Sequence, residues 1–230
     1  MYYSLINSMK RVAPSNPLWN TLTNYYTFDS TPNDAKGTSN GTLINGLGYS
    51  AAKINNGLNF DGVNDAFSLP DNFFKPTGDF TVSFWFYKST TATPFILDIG
   101  GGQQGYSDGL TIYGPLSDIR LYIDGGNVLP FGTILINTWY HVVLTHKTST
   151  NYKGYLNGSL VNTLSTTKQI NFPATTFGAF GTSKSATSTY GNFSAVKGDE
   201  LAFFNSELTS TQVAELYNGG SGKQYPLWFI

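Results

Sequence analysis

The carboxylates are the groups most able to do chemistry here, and their placement argues against hydrolysis. Glycoside hydrolysis needs two carboxyls flanking the scissile bond, roughly 5–10 Å apart. A β-rich chain usually supplies them as glutamates alternating on one strand. Only three glutamates are present, Glu200, Glu207 and Glu215. They fall in what reads as a closing strand, a turn and a short helix, where no cleft is expected. Most aspartates stand in turn contexts such as Asp61-Gly62, Asp108-Gly109 and Asp124-Gly125, where the side chain supports the turn backbone. His141 and His146 are five residues apart on one predicted strand and therefore face opposite sides. A packed, hydrogen-bonded core histidine is the expectation for His141, on the same face as Trp139 and Val143. The chain has no cysteine, which removes disulfides, thiolate nucleophiles and thiolate metal ligands together. The expectation is a protein that is not an enzyme.

Carbohydrate recognition asks for something different: exposed aromatic faces beside polar groups that read hydroxyls. Trp85 and Trp139 lie inside apolar strands and are expected in the core. Tyr106 and Asp108 fall in a glycine-rich loop, and Tyr113, Arg120 and Tyr122 in a loop or on the polar face of a strand. These five form the candidate ligand site. Charged residues are only 12% of the chain and the formal net charge is −1. That leaves no basic field for nucleic-acid phosphates and no polybasic membrane patch. No segment approaches the roughly 20 apolar residues of a membrane span. The first ten residues lack the charge-then-apolar order of a secretory leader, so none is expected.

The elements that must hold these residues are almost all strands. Gly 25, Pro 10 and 16% aromatics suit short strands and frequent turns, and 230 residues suit one large β domain. Residues 80–87 are aromatic and β-branched, Ile119, Leu121 and Ile123 alternate with polar neighbours, and 139–145 forms another strand. Asn157-Gly158 is a hairpin turn signal between Tyr152–Leu156 and Ser159–Val161. One helix stands out near the end. Thr209 is its N-cap, with Gln212 three residues on as in a capping box, and Gly219 suits a left-handed C′ position. Residues 1–17 read as an arm with a short amphipathic helix at Tyr2, Leu5, Ile6 and Met9. Residues 220–230 read as an apolar tail after a glycine hinge. The domain proper is expected over 18–219.

Three ordered segments resemble the laminin G-like, concanavalin A-like jelly-roll superfamily, which includes pentraxins. The first is Leu58-Asn59-Phe60-Asp61-Gly62 with Phe80-Thr81-Val82-Ser83-Phe84-Trp85. The second is Trp139-Tyr140-His141 with Tyr155-Leu156-Asn157-Gly158. The third is Gly198-Asp199-Glu200 with Leu216-Tyr217-Asn218. The resemblance implies an all-β, two-sheet antiparallel jelly-roll sandwich with one short C-terminal helix. Ligands would meet its loops or its concave face. It implies no reaction, since the fold carries lectins, adhesion domains and glycosidases alike.

The resemblance also raises calcium. A pentraxin-type site would draw Asp108 from one loop, but the second loop, Gly181–Tyr190, has no carboxylate and carries Lys184 instead. Asp29, Asp34 and Asp199 are the alternative structural Ca2+ ligands, joining the first and last strands, against the simpler expectation that they cap turns and bond backbone amides. The tail residues Tyr225, Leu227, Trp228, Phe229 and Ile230 are candidate contacts with neighbouring subunits, against the simpler expectation that they pack on their own sandwich. Taken together, the leading expectation is a non-catalytic structural or surface module of a larger assembly, with a phage or virion surface as its setting and possible glycan contact. The alternative is a soluble, extracellular carbohydrate-binding lectin module of a secreted glycan-processing system.

Overall fold

The structure is a computed structural model that describes residues 17–92, 94–100, 109–114, 118–123, 126–173, 175–185 and 189–226. The arm 1–16 and residues 227–230 therefore lie outside the described residues. In chain order the strands are β1 (Leu22–Tyr26), β2 (Thr42–Ile44), β3 (Gly48–Ala51), β4 (Asn56–Asn59), β5 (Ala66–Leu69), β6 (Phe80–Lys88), β7 (Phe95–Ile99), β8 (Leu110–Tyr113) and β9 (Asp118–Ile123). They continue as β10 (Asn127–Thr133), β11 (Trp139–Lys147), β12 (Asn151–Leu156), β13 (Ser159–Ser165), β14 (Gly178–Phe180), β15 (Ser183–Lys184), β16 (Tyr190–Gly191) and β17 (Val196–Phe204). The α-helix α1 (Ser210–Tyr217) follows.

An eight-stranded antiparallel sheet runs β13-β12-β11-β6-β17-β4-β3, with β1 also paired to β17. A seven-stranded sheet runs β10-β9-β8-β7-β14-β5-β2, and β15 and β16 form a small ribbon. The central strand β6 reads as a near-continuous apolar run because both its faces are covered. Val82, Phe84 and Phe86 enter the core between the sheets. Trp85 points the other way, where its ring stacks on Tyr217 of α1 at 5.7 Å.

The inter-sheet core is dominated by phenylalanine. Phe28 meets Phe67 edge-on at 4.9 Å, and Phe84 meets Phe180 at 5.4 Å. Gly198 of β17 is required by this packing, since a Cβ there would lie 2.0 Å from the Phe180 ring. A second apolar cluster sits on the outer face of the eight-stranded sheet, with Leu18, Trp19, Val143, Phe204, Val213 and Leu216 among its members. It is formed by Leu18, Trp19 and Leu22, by Tyr225 and by α1, all packed on the outer face of the sheet. Trp85 is buried as expected, whereas Trp139 is only half-buried, packed on Tyr87 at the start of β11.

Helix α1 forms where the sequence places it. Thr209 accepts from Gln212 N, and Gln212 Oε1 accepts from Thr209 N, so both limbs of the capping box are made. Gly219 is left-handed (φ 60) in the C′ position as expected, and the C-cap Asn218 (φ 50) is left-handed as well. The Asn157-Gly158 hairpin has positive φ at both residues, 50° and 79°, the geometry of a type I′ turn.

Strand β17 changes partner midway along one edge. Lys197 and Gly198 pair with β4, whereas Leu201 to Phe204 pair with β1. Between these stretches a bulge interrupts its register with β6, and Glu200 adopts φ 54 there. This break turns two consecutive acids, Asp199 and Glu200, into buried positions beneath the C-terminal segment.

Candidate binding face

The outer face of the seven-stranded sheet, opposite α1, gathers three of the five residues chosen for ligand contact. Alternation builds it. Ile119, Leu121 and Ile123 of β9 and Leu110 and Ile112 of β8 point into the core, so Asp118, Arg120, Tyr122, Thr111 and Tyr113 point outward. Pairing sets Tyr113 opposite Arg120 and Thr111 opposite Tyr122. The Tyr113 and Tyr122 rings lie 4.7 Å apart, with their hydroxyls 2.7 Å apart. Phe95 extends the row, stacked on Tyr113 at 5.2 Å and 15°. Arg120 Nε donates to Asp118 Oδ2 at 2.8 Å. This bond first, and a second with Tyr122, hold the guanidinium above its ordinary pKa.

Further along the same sheet, Asp98 is buried and tied by Thr111 Oγ1 at 2.7 Å and by the Lys184 backbone N–H at 3.0 Å. Burial pushes its carboxyl up to about 6 against these two bonds. The Lys184 ammonium lies 3.0 Å from Ser68 Oγ and 3.3 Å from Asp71 Oδ1, with the Phe177 and Tyr190 rings within cation–π range. The β15–β16 ribbon thus brings its own cation to this face. The face combines half-buried aromatic rings, a planar guanidinium and hydroxyls, a set suited to stacking on a sugar ring while reading its hydroxyls.

Tyr113, Arg120 and Tyr122 are therefore brought together, while Tyr106 and Asp108 lie outside the described residues. Sequence reasoning missed Phe95 and Asp118. Asp118 was within reach, because it precedes Arg120 by two residues in a strand of period two. Phe95 joins by cross-strand pairing with Tyr113, which no local signal carries.

The proposed calcium ligands do not assemble. Asp34 spends both oxygens on five donors: Tyr25 N, Lys36 N and Gly37 N on Oδ1, and Asn24 Nδ2 and Ser39 N on Oδ2. A carboxylate saturated by N–H groups has no lone pair to offer a cation that needs six to eight oxygens. Asp199 accepts from Ile54 N at 2.8 Å through Oδ2. Its burial first, then the nearby Asp29, push it up to about 8, so it carries a proton at neutral pH. Asp29 accepts from Asn56 N and Gln224 Nε2. Among the described residues no three His, Asp or Glu side chains gather as a metal ligand set. The trio Asp29, Asp34 and Asp199 is corrected accordingly: Asp34 organises its own loop, and Asp199 is a buried neutral acid. Calcium does not fit these residues.

The three glutamates are likewise engaged. Glu200 accepts from Tyr25 OH and from Gln224 Nε2 and is pushed up to about 8 by burial. Glu207 pairs with Lys153 at 2.7 Å, and Glu215 pairs with Lys223. His141 is buried on the α1 side, with Nε2 2.9 Å from Ser83 Oγ, and burial lowers its pKa to about 3. Of the tail residues, Tyr225 is described. It packs on Trp19 at 5.6 Å and Tyr25 at 6.0 Å, and its N–H donates to Tyr25 OH. Leu227, Trp228, Phe229 and Ile230 lie outside the described residues. Among the described residues no helix is long and apolar enough to cross a membrane.

Two packed antiparallel sheets, a capped helix on one outer face and an aromatic, charged patch on the other define a jelly-roll sandwich of lectin type. The chain belongs to the concanavalin A-like lectin/glucanases superfamily, whose laminin G-like family model matches residues 61–214. No curated protein sequence matches significantly. Among solved structures, the fold is similar to domain 4 of AbnA, an extracellular GH43 arabinanase from Geobacillus stearothermophilus solved with arabinotriose. That match has a TM-score of 0.65 and 19% identity, over 85% of this chain and 97% of that one. It is also similar to the binding domain of Paraclostridial Mosquitocidal Protein 1, with a TM-score of 0.69 and 15% identity over 88% of this chain. A Trypanosoma rangeli sialidase mutant with trans-sialidase activity matches at a TM-score of 0.67 and 16% identity over 90% of this chain. The chain spans 53% of the mosquitocidal binding domain and 34% of the sialidase.

Proposed function

We propose that the chain is a non-catalytic, lectin-like module that binds glycans through the Phe95–Tyr113–Tyr122 row and the Arg120–Asp118 pair. The observation that carries this is the juxtaposition of stacked, half-buried rings with a fixed guanidinium and two hydroxyls on one sheet face. The likeness to an arabinanase domain solved with arabinotriose supports the ligand class. A binding role rather than a hydrolytic one is supported by the glutamates, each of which is held in a bond away from this face. A glycan array probed with the whole chain, followed by calorimetry on any hit, tests the reading. Tyr122→Ala and Arg120→Ala each weaken binding at least tenfold, with no release of reducing ends on prolonged incubation. An array without hits, or hits unaffected by both substitutions, would overturn it.

A second reading places this module on the surface of a larger assembly, a virion being one such setting. The run Leu227-Trp228-Phe229-Ile230 favours it, because four consecutive apolar residues call for cover. Light scattering of the chain with and without residues 227–230 decides: an unchanged monomer in both sinks the assembly role and leaves glycan binding standing.

A further inference from the structure

Away from the sheet face, a cleft of about 340 Å³ opens where the β5–β6 connection meets the β13–β14 connection. That volume lies within the roughly 300–1,000 Å³ of small-molecule sites, at the end that suits one or two rings. Its base is aromatic and rigid. Phe80 lies 5.1 Å from the His146 ring, which stacks on Tyr152 at 4.1 Å. Phe172, Ile170 and Pro76 add apolar walls.

The polar groups of the cleft are held in place before any ligand arrives. His146 Nδ1 lies 3.1 Å from Asn151 O and its Nε2 lies 2.9 Å from Gln169 Oε1, two contacts that hold the ring in orientation. Gln169 Nε2 donates to Thr167 O at 3.3 Å, so this amide is tied at both ends on the cleft wall. Lys75 Nζ donates to Pro173 O at 2.8 Å, which brings the ammonium to the cleft beside Thr77 and Asn171. No Asp or Glu is among the lining residues. Asp79, which follows in the same connection, is occupied by Lys147 Nζ at 2.6 Å and Thr148 N at 2.9 Å. On the other side of Lys75 and Pro76 a second hollow of about 200 Å³ is lined by Phe73, Phe74, Phe204 and Asn205. A chain of more than one ring has room to continue across that ridge.

An aromatic base, pre-set amides and a hydroxyl, one cation and no acid suit a hydroxylated ring that carries a carboxylate. We propose that this cleft is a second saccharide site, specific for a uronic acid residue. The proposal shares its ligand class with the lectin reading and rests on it to that extent, but it uses none of the sheet-face residues.

Saturation-transfer NMR and calorimetry on the whole chain, with methyl glucuronoside and methyl glucoside as probes, test it. The uronoside ring protons take up saturation, and the neutral glycoside binds at least tenfold more weakly. Lys75→Met makes the two probes equal. Asn171→Ala, on an exposed side chain, and Phe172→Ala each weaken the uronoside at least tenfold, thermal melts confirming that both variants are folded. Tyr122→Ala leaves uronoside binding unchanged. Absence of transfer to either probe overturns the proposal, and so does equal binding of the two by the wild type. Uronoside binding that is lost in Tyr122→Ala but intact in Asn171→Ala and Phe172→Ala also overturns it, while leaving the sheet-face reading in place. Cleft binding with no glycan bound at the sheet face does the reverse.

Discussion

The buried acid at the β17 bulge gives the sharpest test of the structure. Glu200 sits at φ 54 beneath residues 222–226, with one oxygen facing Tyr25 OH and the other accepting from Gln224 Nε2 at 2.7 Å. Burial raises its pKa from 4.5 to about 8. At about 1.4 kcal/mol per unit, ionising it in place would cost on the order of 5 kcal/mol. A cheaper escape exists, because undocking the segment that carries Gln224 and Tyr225 lets water reach the carboxylate. Local opening of such a terminal segment caps the loss at on the order of 2–3 kcal/mol. The sign follows from proton uptake: the folded state holds this proton more tightly than the unfolded chain does. Its contribution is therefore complete below the unfolded pKa near 4.5 and disappears as pH rises through about 8. Glu200→Gln keeps an acceptor for Gln224 and removes the titration. Urea unfolding at pH 5, 7 and 9 should show the two proteins within about 1 kcal/mol at pH 5 and the variant ahead by on the order of 2–3 kcal/mol at pH 9. Comparing the two proteins at each pH cancels Asp199, Asp98 and His141, which titrate in both. A difference that is flat with pH, or that favours wild type at pH 9, would refute the buried-acid account.

Other consequences follow from the same packing. His141, lowered to about 3 by burial, must remain neutral when folded. Its contribution is present above pH 6.5 and lost as pH falls toward 3, and an NMR titration should show one histidine that does not protonate between pH 7 and 4. Gly198→Ala would push a methyl to 2.0 Å from the Phe180 ring. It should cost on the order of 1–3 kcal/mol or more, read as a lower melting temperature, and no loss would contradict the inter-sheet packing. Thr209→Ala removes the N-cap of α1 and should cost about 1 kcal/mol in chemical denaturation. A cost near zero would mean that packing of Val213 and Leu216 alone fixes the helix.

What could be read from the sequence depended on how local each determinant is. The capping box at Thr209 and Gln212, the Asn157-Gly158 turn and the alternation of Ile119, Leu121 and Ile123 are decided within a few residues, and the structure contains all three. The alternation also delivers Tyr113, Arg120 and Tyr122 to one surface, because outward positions follow once inward ones are known. Cross-strand partners are another matter. Phe95 joins Tyr113 through the β7–β8 pairing, and the uronate cleft is made by connections around positions 75 and 170, almost a hundred residues apart in sequence.

The acids show the same limit from the other side. Asp29, Asp34 and Asp199 look alike as letters, and each could ligate a cation. Their behaviour is set by what surrounds them: five N–H donors neutralise Asp34's capacity to bind metal, and a low-dielectric bulge leaves Asp199 protonated. The bulge itself arises because β17 must serve β4 on one half of an edge and β1 on the other. One residue is displaced at that hand-over, and Glu200 takes the left-handed conformation that absorbs it. A family-like Gly-Asp-Glu string thus marks a point where two strands exchange a shared neighbour. Its acids are buried by that topology and covered by the chain's own C-terminal segment, which is why they hold protons rather than a metal or a substrate.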